Sequence, residues 1–181
     1  MTIQQFWDIL QEAYIPDEGG TSQDWFNALK NELMKLPPLE ILRFDRIFDK
    51  MLGAAYKIDL WGAAYLINGG CSDDGFHYFR CWLVGRGKDV YRKALANPDS
   101  LADILKGEWP YESSLDVAPA RAWEEKTGRT SEEYYVELDK LRGQSRPAEE
   151  DEGEDWDFDD DEEMRRRFPR LSRLYLSETE E

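Results

Sequence analysis

The side chains of this chain that could do chemistry concentrate around a short polar stretch, Gly69 to Gly75. It contains Cys71 and the adjacent carboxylates Asp73 and Asp74, and the only histidine, His77, follows closely. Apolar segments rich in aromatic residues flank the stretch on both sides. Polar groups therefore pass through what the hydrophobic pattern predicts to be the interior of the fold.

Three of these groups recur at four-residue steps: Asp73, His77 and Cys81. On a helix that begins at Asp73, their side chains share one face. An acid, an imidazole and a thiol in this order can activate a thiolate nucleophile. Successive residues of a single helix, however, rarely converge on a substrate together with oxyanion donors. We therefore interpret the three residues as a helix start, a tolerated histidine and a small half-buried cysteine.

The carboxylates Asp73 and Asp74 are also weak candidates for a metal site. Together with acids from neighbouring helices, they could supply oxygen ligands to Mg²⁺ or Ca²⁺. The sequence has no HExxH, no CxxC pair and no EF-hand loop. Ser72 instead predicts a helix N-cap, which places both acids where the helix dipole favours negative charge. We expect no bound metal and no cofactor.

Arg80 is predicted to lie within an aromatic helix, one turn beyond Phe76. A buried guanidinium needs a partner, so we expect a salt bridge to Asp73 or to an acid on another helix. The alternative is a ligand-binding cleft formed by Asp73, Asp74 and Arg80. There the planar guanidinium could bind an anion or a carboxylate.

The charge of the chain is strongly acidic and unevenly distributed. The formal net charge is −16, but residues 1–148 carry only −6 of it, and residues 149–163 hold 12 acids and no base. Binding to a nucleic-acid backbone or to an anionic membrane needs clustered lysine and arginine. We therefore expect neither of these partners.

The location expected from the sequence is the cytoplasm. The first residues lack the basic and apolar regions of a signal peptide, and no apolar run approaches the length that spans a bilayer. Two cysteines are too few for a disulfide framework.

Helical periodicity dominates the sequence and predicts an all-α fold. Apolar residues recur at three- and four-residue spacing in most segments, and none alternates with period two. We expect about eight helices. The segment from Ile58 to Ile67 is apolar on every side, which predicts a buried and central helix.

The composition divides the chain into three parts. Residues 1–143 are predicted to form the all-α domain, residues 144–155 an acidic linker, and residues 156–181 a helical tail. The tail contains acid-to-arginine pairs at four-residue spacing and several apolar anchors. We therefore expect the tail to dock on the domain.

Three aromatic residues are candidates for binding a partner protein. Trp109 lies in a predicted loop, where aromatic side chains mark interaction sites more often than they do in a core. Trp156 and Phe158 lie among acids, and an acidic segment of this kind could also mimic nucleic acid towards a basic protein.

The run of residues 61–83, centred on Gly-Gly-Cys-Ser-Asp-Asp-Gly-Phe at 69–76, resembles the bacterial family catalogued as domain of unknown function 4240. Supporting pieces are Phe6-Trp7 and the stretch from Tyr91 to Leu101, so the resemblance covers about residues 2–105. It implies a helical, cytosolic bacterial protein, and it brings no established activity, ligand or catalytic residue.

Two classes of function remain after these exclusions. The favoured one is a protein-interaction or regulatory module without catalytic activity, which acts by binding another protein. The alternative is an enzyme or a binding protein for an anion or a Mg²⁺-dependent ligand, with its cleft at Asp73, Asp74 and Arg80.

Overall fold

The computed structural model describes residues 1–14, 21–105, 114–142 and 153–176. Their α-helices are α1 (Ile3–Ala13), α2 (Ser22–Met34), α3 (Pro38–Ala54), α4 (Ile58–Asn68), α5 (Asp73–Gly85), α6 (Lys88–Ala96), α7 (Ala102–Leu105), α8 (Ala118–Thr127), α9 (Ser131–Arg142), α10 (Asp161–Arg167) and α11 (Pro169–Tyr175). Two 3₁₀ helices, Pro98–Leu101 and Leu115–Val117, precede α7 and α8.

The prediction of an all-α fold is confirmed, since none of the regular elements in these ranges is a strand. Their eleven α-helices exceed the expected eight. Part of the difference lies near the C-terminus, where Phe168 has φ −128° and ψ 63° and separates α10 from α11. The next residue is Pro169, and a residue before proline is disfavoured in the helical conformation.

Local capping signals in the sequence explain several helix starts. Thr21 and Asp24 form the expected capping box, in which each side chain accepts a hydrogen bond from the other's backbone N–H. Thr130 and Glu133 make the same reciprocal contacts at the start of α9.

The interior is organised around α3 rather than α4. Helix α3 packs against α1, α5, α8 and α9, whereas α4 lies between α5 and α11. The predicted burial of α4 is correct, because most of its side chains are buried. Its apolar surface extends all around the helix because the C-terminal part of the chain covers one face.

The division into domain, linker and tail stays a prediction. Most of the proposed linker, together with the predicted turn at Pro16 to Gly20, lies outside the described residues. In the described ranges no helix is both long and apolar enough to cross a membrane.

Candidate functional site

The polar stretch between α4 and α5 is a junction of two helix ends. Gly69 ends α4 with φ of 63°, a left-handed conformation that glycine adopts without steric cost. The hydroxyl of Ser72 caps α5 as predicted, since it accepts a hydrogen bond from the backbone N–H of Gly75 at 3.2 Å. Asp73 and Asp74 are exposed in the first turn of α5, where the helix dipole favours their charge.

Arg80 lies in the interior, with only 3% of its surface exposed. Its Nη1 donates a hydrogen bond to the carbonyl of Leu52 at 3.0 Å, near the end of α3. The guanidinium carbon is 4.6 Å from the ring centre of Tyr56 and 4.9 Å from that of Phe76. Because the last carbonyls of a helix carry partial negative charge, Arg80 stabilises the end of α3 and ties α5 to it.

The three residues of the predicted cleft therefore have different surroundings. Asp73 and Asp74 face solvent, while Arg80 lies further along α5 and is buried. A surface groove lies at a different place, between α2 and α8. Its lining residues are Phe26, Lys30, Arg121, Glu124 and Glu125. A ligand-binding role for Asp73, Asp74 and Arg80 stays a prediction.

His77, Cys81 and Asp116 converge between α5 and the 3₁₀ helix Leu115–Val117. Nε2 of His77 lies 3.0 Å from Oδ2 of Asp116 and 3.6 Å from Sγ of Cys81. One ligand atom from each of the three residues lies within 4.8 Å of the others. The predicted alignment of His77 and Cys81 on one face of α5 is correct, but the acid that joins them is Asp116 instead of Asp73.

This arrangement does not suit a thiolate nucleophile. In a catalytic triad the acid and the nucleophile bind opposite nitrogens of the imidazole, whereas here both approach Nε2 of His77. Cys81 is 0% exposed, and its burial raises the pKa of the thiol well above the usual range. The negative charge of Asp116 raises that pKa further, so Cys81 is protonated at neutral pH.

Residues 153–176, which we call the covering segment, lie along one face of α4. The ring of Trp156 sits directly on the backbone of Gly62, where a Cβ atom would overlap Cζ2 and lie 2.9 Å from Cη2. The ring centre of Phe158 is 5.6 Å from that of Tyr65 and 6.4 Å from that of Trp61. Only glycine at position 62 allows this close approach of the indole.

The covering segment also buries apolar side chains beyond its aromatic start. Met164 and Phe168 are each 2% exposed, and Leu171 is 0% exposed. Helix α11 packs against α4, α7 and the 3₁₀ helix Pro98–Leu101. The segment therefore shares one hydrophobic core with the described residues up to 142, which we call the body.

Acidic side chains of the body bind the arginines and amides of the covering segment. Oδ1 of Asp59 accepts hydrogen bonds from Nε1 of Trp156 at 3.2 Å and from Nη1 of Arg167 at 2.7 Å. In the opposite direction, the hydroxyl of Tyr65 donates to Oδ1 of Asp159 at 2.6 Å. These contacts fix the position of the segment along α4.

A buried carboxylate holds the start of α11. Asp99 is 5% exposed, and its Oδ1 accepts hydrogen bonds from the backbone N–H groups of Arg170 and Leu171 at 2.9 Å each. The guanidinium of Arg170 also bonds to Asp103, which lowers the pKa of that carboxyl. Asp99 therefore serves as a cap for a helix that lies 70 residues further along the chain.

The three aromatic residues proposed for partner binding have different outcomes. Trp156 and Phe158 contact α4 of their own chain, and their role towards another protein stays a prediction. Trp109 lies outside the described residues.

The fold and its contacts define an all-α protein in which a C-terminal segment covers one face of the body. The chain belongs to the family described as protein of unknown function DUF4240, whose model matches residues 1–125. The resemblance stated for residues 61–83 is thereby confirmed. The matched region includes α4 and the cluster of His77, Cys81 and Asp116, and it ends before the covering segment. Comparisons with curated proteins and with solved structures gave no significant match.

Proposed function

We propose that this protein is a non-catalytic interaction module whose α4 face binds a segment of another protein. In the free chain, the covering segment occupies that face. One observation carries the proposal: the face belongs to the region matched by the family model, whereas the residues that cover it lie beyond that region. The low cysteine content and the resemblance support a bacterial cytoplasm as the place of action.

The uncovered face would need an occupant because it is apolar. Complete burial of one large apolar side chain stabilises by about 1.5–3 kcal/mol, and Met164, Phe168 and Leu171 are all buried to at least 98%. The same face also contains the contact site of the Trp156 indole on Gly62, which we call the indole's seat. A partner that displaces the covering segment must therefore provide comparable apolar and aromatic groups.

The acids around this face determine the charge of the partner segment. Asp59 and Asp103 bind arginines of the covering segment, and Asp99 binds two backbone amides. A competing segment therefore carries an aromatic residue followed by arginines on a helix. Nucleic acid does not meet this description, because its phosphates would face three carboxylates.

The covering segment competes with an external segment for the α4 face, and its covalent attachment to the chain determines how strongly it competes. Ten residues join Arg142 to Gly153, and a segment tethered over such a length acts at an effective concentration in the millimolar range. An external segment binds well only if its affinity exceeds this competition or if the internal contacts are weakened. The covering segment thus sets the threshold for partner binding.

A peptide of residues 153–176 tests whether the α4 face accepts a segment in trans. The protein variant Trp156→Ala removes the internal aromatic contact, and we expect it to bind the labelled peptide at least about 10-fold more tightly than the wild-type protein does, since one aromatic seat is worth more than 1.4 kcal/mol. Fluorescence anisotropy measures both affinities with the full chain.

Glycine substitutions give a matched pair of controls. The added Cβ of Gly62→Ala closes the seat for any indole, whereas at Gly53, on α3, a Cβ meets nothing within 4 Å. In the Trp156→Ala background, Gly62→Ala should abolish peptide binding and Gly53→Ala should preserve it. Equal binding to both double variants, or no gain from Trp156→Ala, would contradict the proposal.

A further inference from the structure

The cluster of His77, Cys81 and Asp116 is independent of the covering segment, and its three side chains differ in chemistry. His77 and Cys81 are four residues apart on α5, so they project from adjacent turns of one face. Asp116 comes from the 3₁₀ helix Leu115–Val117, which packs against α5. An imidazole nitrogen, a thiol sulfur and a carboxylate oxygen therefore meet where two elements touch.

Two of the three distances within the cluster are close to the edges of a tetrahedral metal site. With usual Zn–S, Zn–N and Zn–O bond lengths, tetrahedral coordination requires a sulfur-to-nitrogen edge of about 3.6 Å and a nitrogen-to-oxygen edge of about 3.4 Å. The corresponding distances are 3.6 Å from Sγ of Cys81 to Nε2 of His77, and 3.0 Å from that nitrogen to Oδ2 of Asp116. All three ligand atoms lie within 4.8 Å of one another, and a side-chain adjustment that brings Sγ of Cys81 and a carboxylate oxygen of Asp116 to about 3.6 Å completes the geometry.

A second observation concerns the other carboxylate oxygen of Asp116. Oδ1 is shielded from solvent and accepts no hydrogen bond from the part of the chain that the structure describes. A buried oxygen without a partner carries a desolvation penalty, so the contact with His77 alone does not explain the position of this carboxylate. A cation next to the carboxylate would compensate for this penalty.

Access to the cluster suits a small ion. The side chains of His77 and Asp116 are 36% and 28% exposed, whereas Cys81 is completely buried. The buried sulfur is closed to an organic substrate, whereas the exposed parts of His77 and Asp116 offer a cation its first two ligands.

We propose that His77, Cys81 and Asp116 bind a divalent cation of the zinc type through Nε2, Sγ and a carboxylate oxygen. A set with sulfur and nitrogen ligands selects Zn²⁺ or Co²⁺ over Mg²⁺ and Ca²⁺, which prefer oxygen. On binding, the S–H bond of Cys81 breaks, its proton leaves to solvent, and the thiolate forms the metal–sulfur bond. The ion thereby fastens α5 to the 3₁₀ helix that precedes α8.

Co²⁺ added to the full-length, metal-stripped protein is the first probe, because a cobalt–thiolate bond produces a charge-transfer band in the near ultraviolet. We expect this band to saturate at one Co²⁺ per chain and to disappear when Zn²⁺ is added. Cys81→Ser should abolish the band. Cys71→Ser should retain it, since Cys71 is the other cysteine of the chain and lies outside the cluster.

His77→Gln and Asp116→Asn keep the test decisive if Cys81→Ser does not fold, because both positions are partly exposed. Each substitution should weaken Zn²⁺ binding at least about 10-fold in a chelator competition, since even supporting residues of metal sites change affinity by that amount. At equal Zn²⁺ concentration, the Tm of the wild-type protein should also rise more than that of Asp116→Asn. No saturable one-to-one binding, a band that survives in Cys81→Ser, or unchanged affinity in both other variants would overturn the proposal.

Discussion

Replacement of Gly62 by alanine should release the covering segment while the body stays folded. The new Cβ would overlap Cζ2 of Trp156 and lie 2.9 Å from Cη2, so the indole must leave its seat. The indole then loses its hydrogen bond to Asp59 at 3.2 Å and its contact with Arg167, whose guanidinium carbon lies 4.7 Å from the ring centre.

The expected magnitude follows from these three losses. Half of the burial energy of a large aromatic side chain is about 1–1.5 kcal/mol, the hydrogen bond contributes about 1 kcal/mol, and the cation–π contact about 0.5–1 kcal/mol. The sum, about 3 kcal/mol, corresponds to an increase of roughly 100-fold in the opening equilibrium of the segment. The higher helix propensity of alanine stabilises α4 equally in the open and closed forms, so it does not change this equilibrium.

Hydrogen exchange measures the opening directly. Amide protons of α10 and α11 that exchange through local detachment should lose about 100-fold in protection in Gly62→Ala, while the protection of α3 stays the same or rises. Gly53→Ala is the control, since its Cβ lies in open space and the substitution should only stabilise α3, by about 0.5–1 kcal/mol. Unchanged protection of α10 and α11 in Gly62→Ala would refute the idea that this seat holds the segment.

Three further substitutions test the polar contacts. Asp99→Asn weakens a buried charge-assisted cap of two backbone amides and should reduce the protection of α11 by about 1–2 kcal/mol in hydrogen exchange. Tyr134→Phe removes a buried 2.7 Å hydrogen bond to Asp45 and should lower the free energy of unfolding in urea by about 1–3 kcal/mol, whereas exposed Tyr135→Phe should have no effect. Hydrogen bonds from two arginines hold the pKa of Glu163 at about 2. The stabilisation of α10 by the ionised Glu163 should therefore be complete above about pH 4.3, the pKa of an unperturbed glutamate, and fade as the pH falls towards 2. In hydrogen exchange, α10 should be better protected in the wild-type protein than in Glu163→Gln at neutral pH, and this difference should vanish as the pH falls towards 2. A difference that does not change with pH would contradict the role given to the ionised Glu163.

The helical architecture could be predicted from the sequence because its signals are local. Spacing of apolar residues, the Thr21–Asp24 capping box and Gly69 each specify a helix or its end within a few residues. The position of α4 was harder to predict. A helix that is apolar on all sides must be covered, but periodicity does not say whether neighbours in the body or a distant segment cover it.

The grouping of side chains into sites depends on tertiary contacts and was predicted only in part. His77 and Cys81 could be placed on one face because both lie on α5. Asp116 follows His77 by 39 residues, in a 3₁₀ helix of only three residues, and no local pattern links it to α5. The nearer Asp73 matched the spacing, but it lies in the exposed first turn of the helix.

The same distinction applies to Arg80. Its burial followed from the aromatic residues around it, which the sequence shows directly. The carbonyl of Leu52 as one of its partners did not follow, since any backbone carbonyl can accept a hydrogen bond, and the expected salt bridge of Arg80 to an acid stays a prediction. A sequence identifies charged side chains as partners more readily than it identifies backbone groups.

The position of Asp99 has a practical consequence for laboratory work on this protein. A shortened chain that ends before residue 153 would leave this carboxylate without its two amide donors, at a cost of about 1–3 kcal/mol. It would also expose the apolar surface against which Phe168 and Leu171 pack. Such a truncated chain should precipitate on purification, so its failure in a binding assay would reflect poor solubility. Single substitutions within residues 153–176 avoid this artefact.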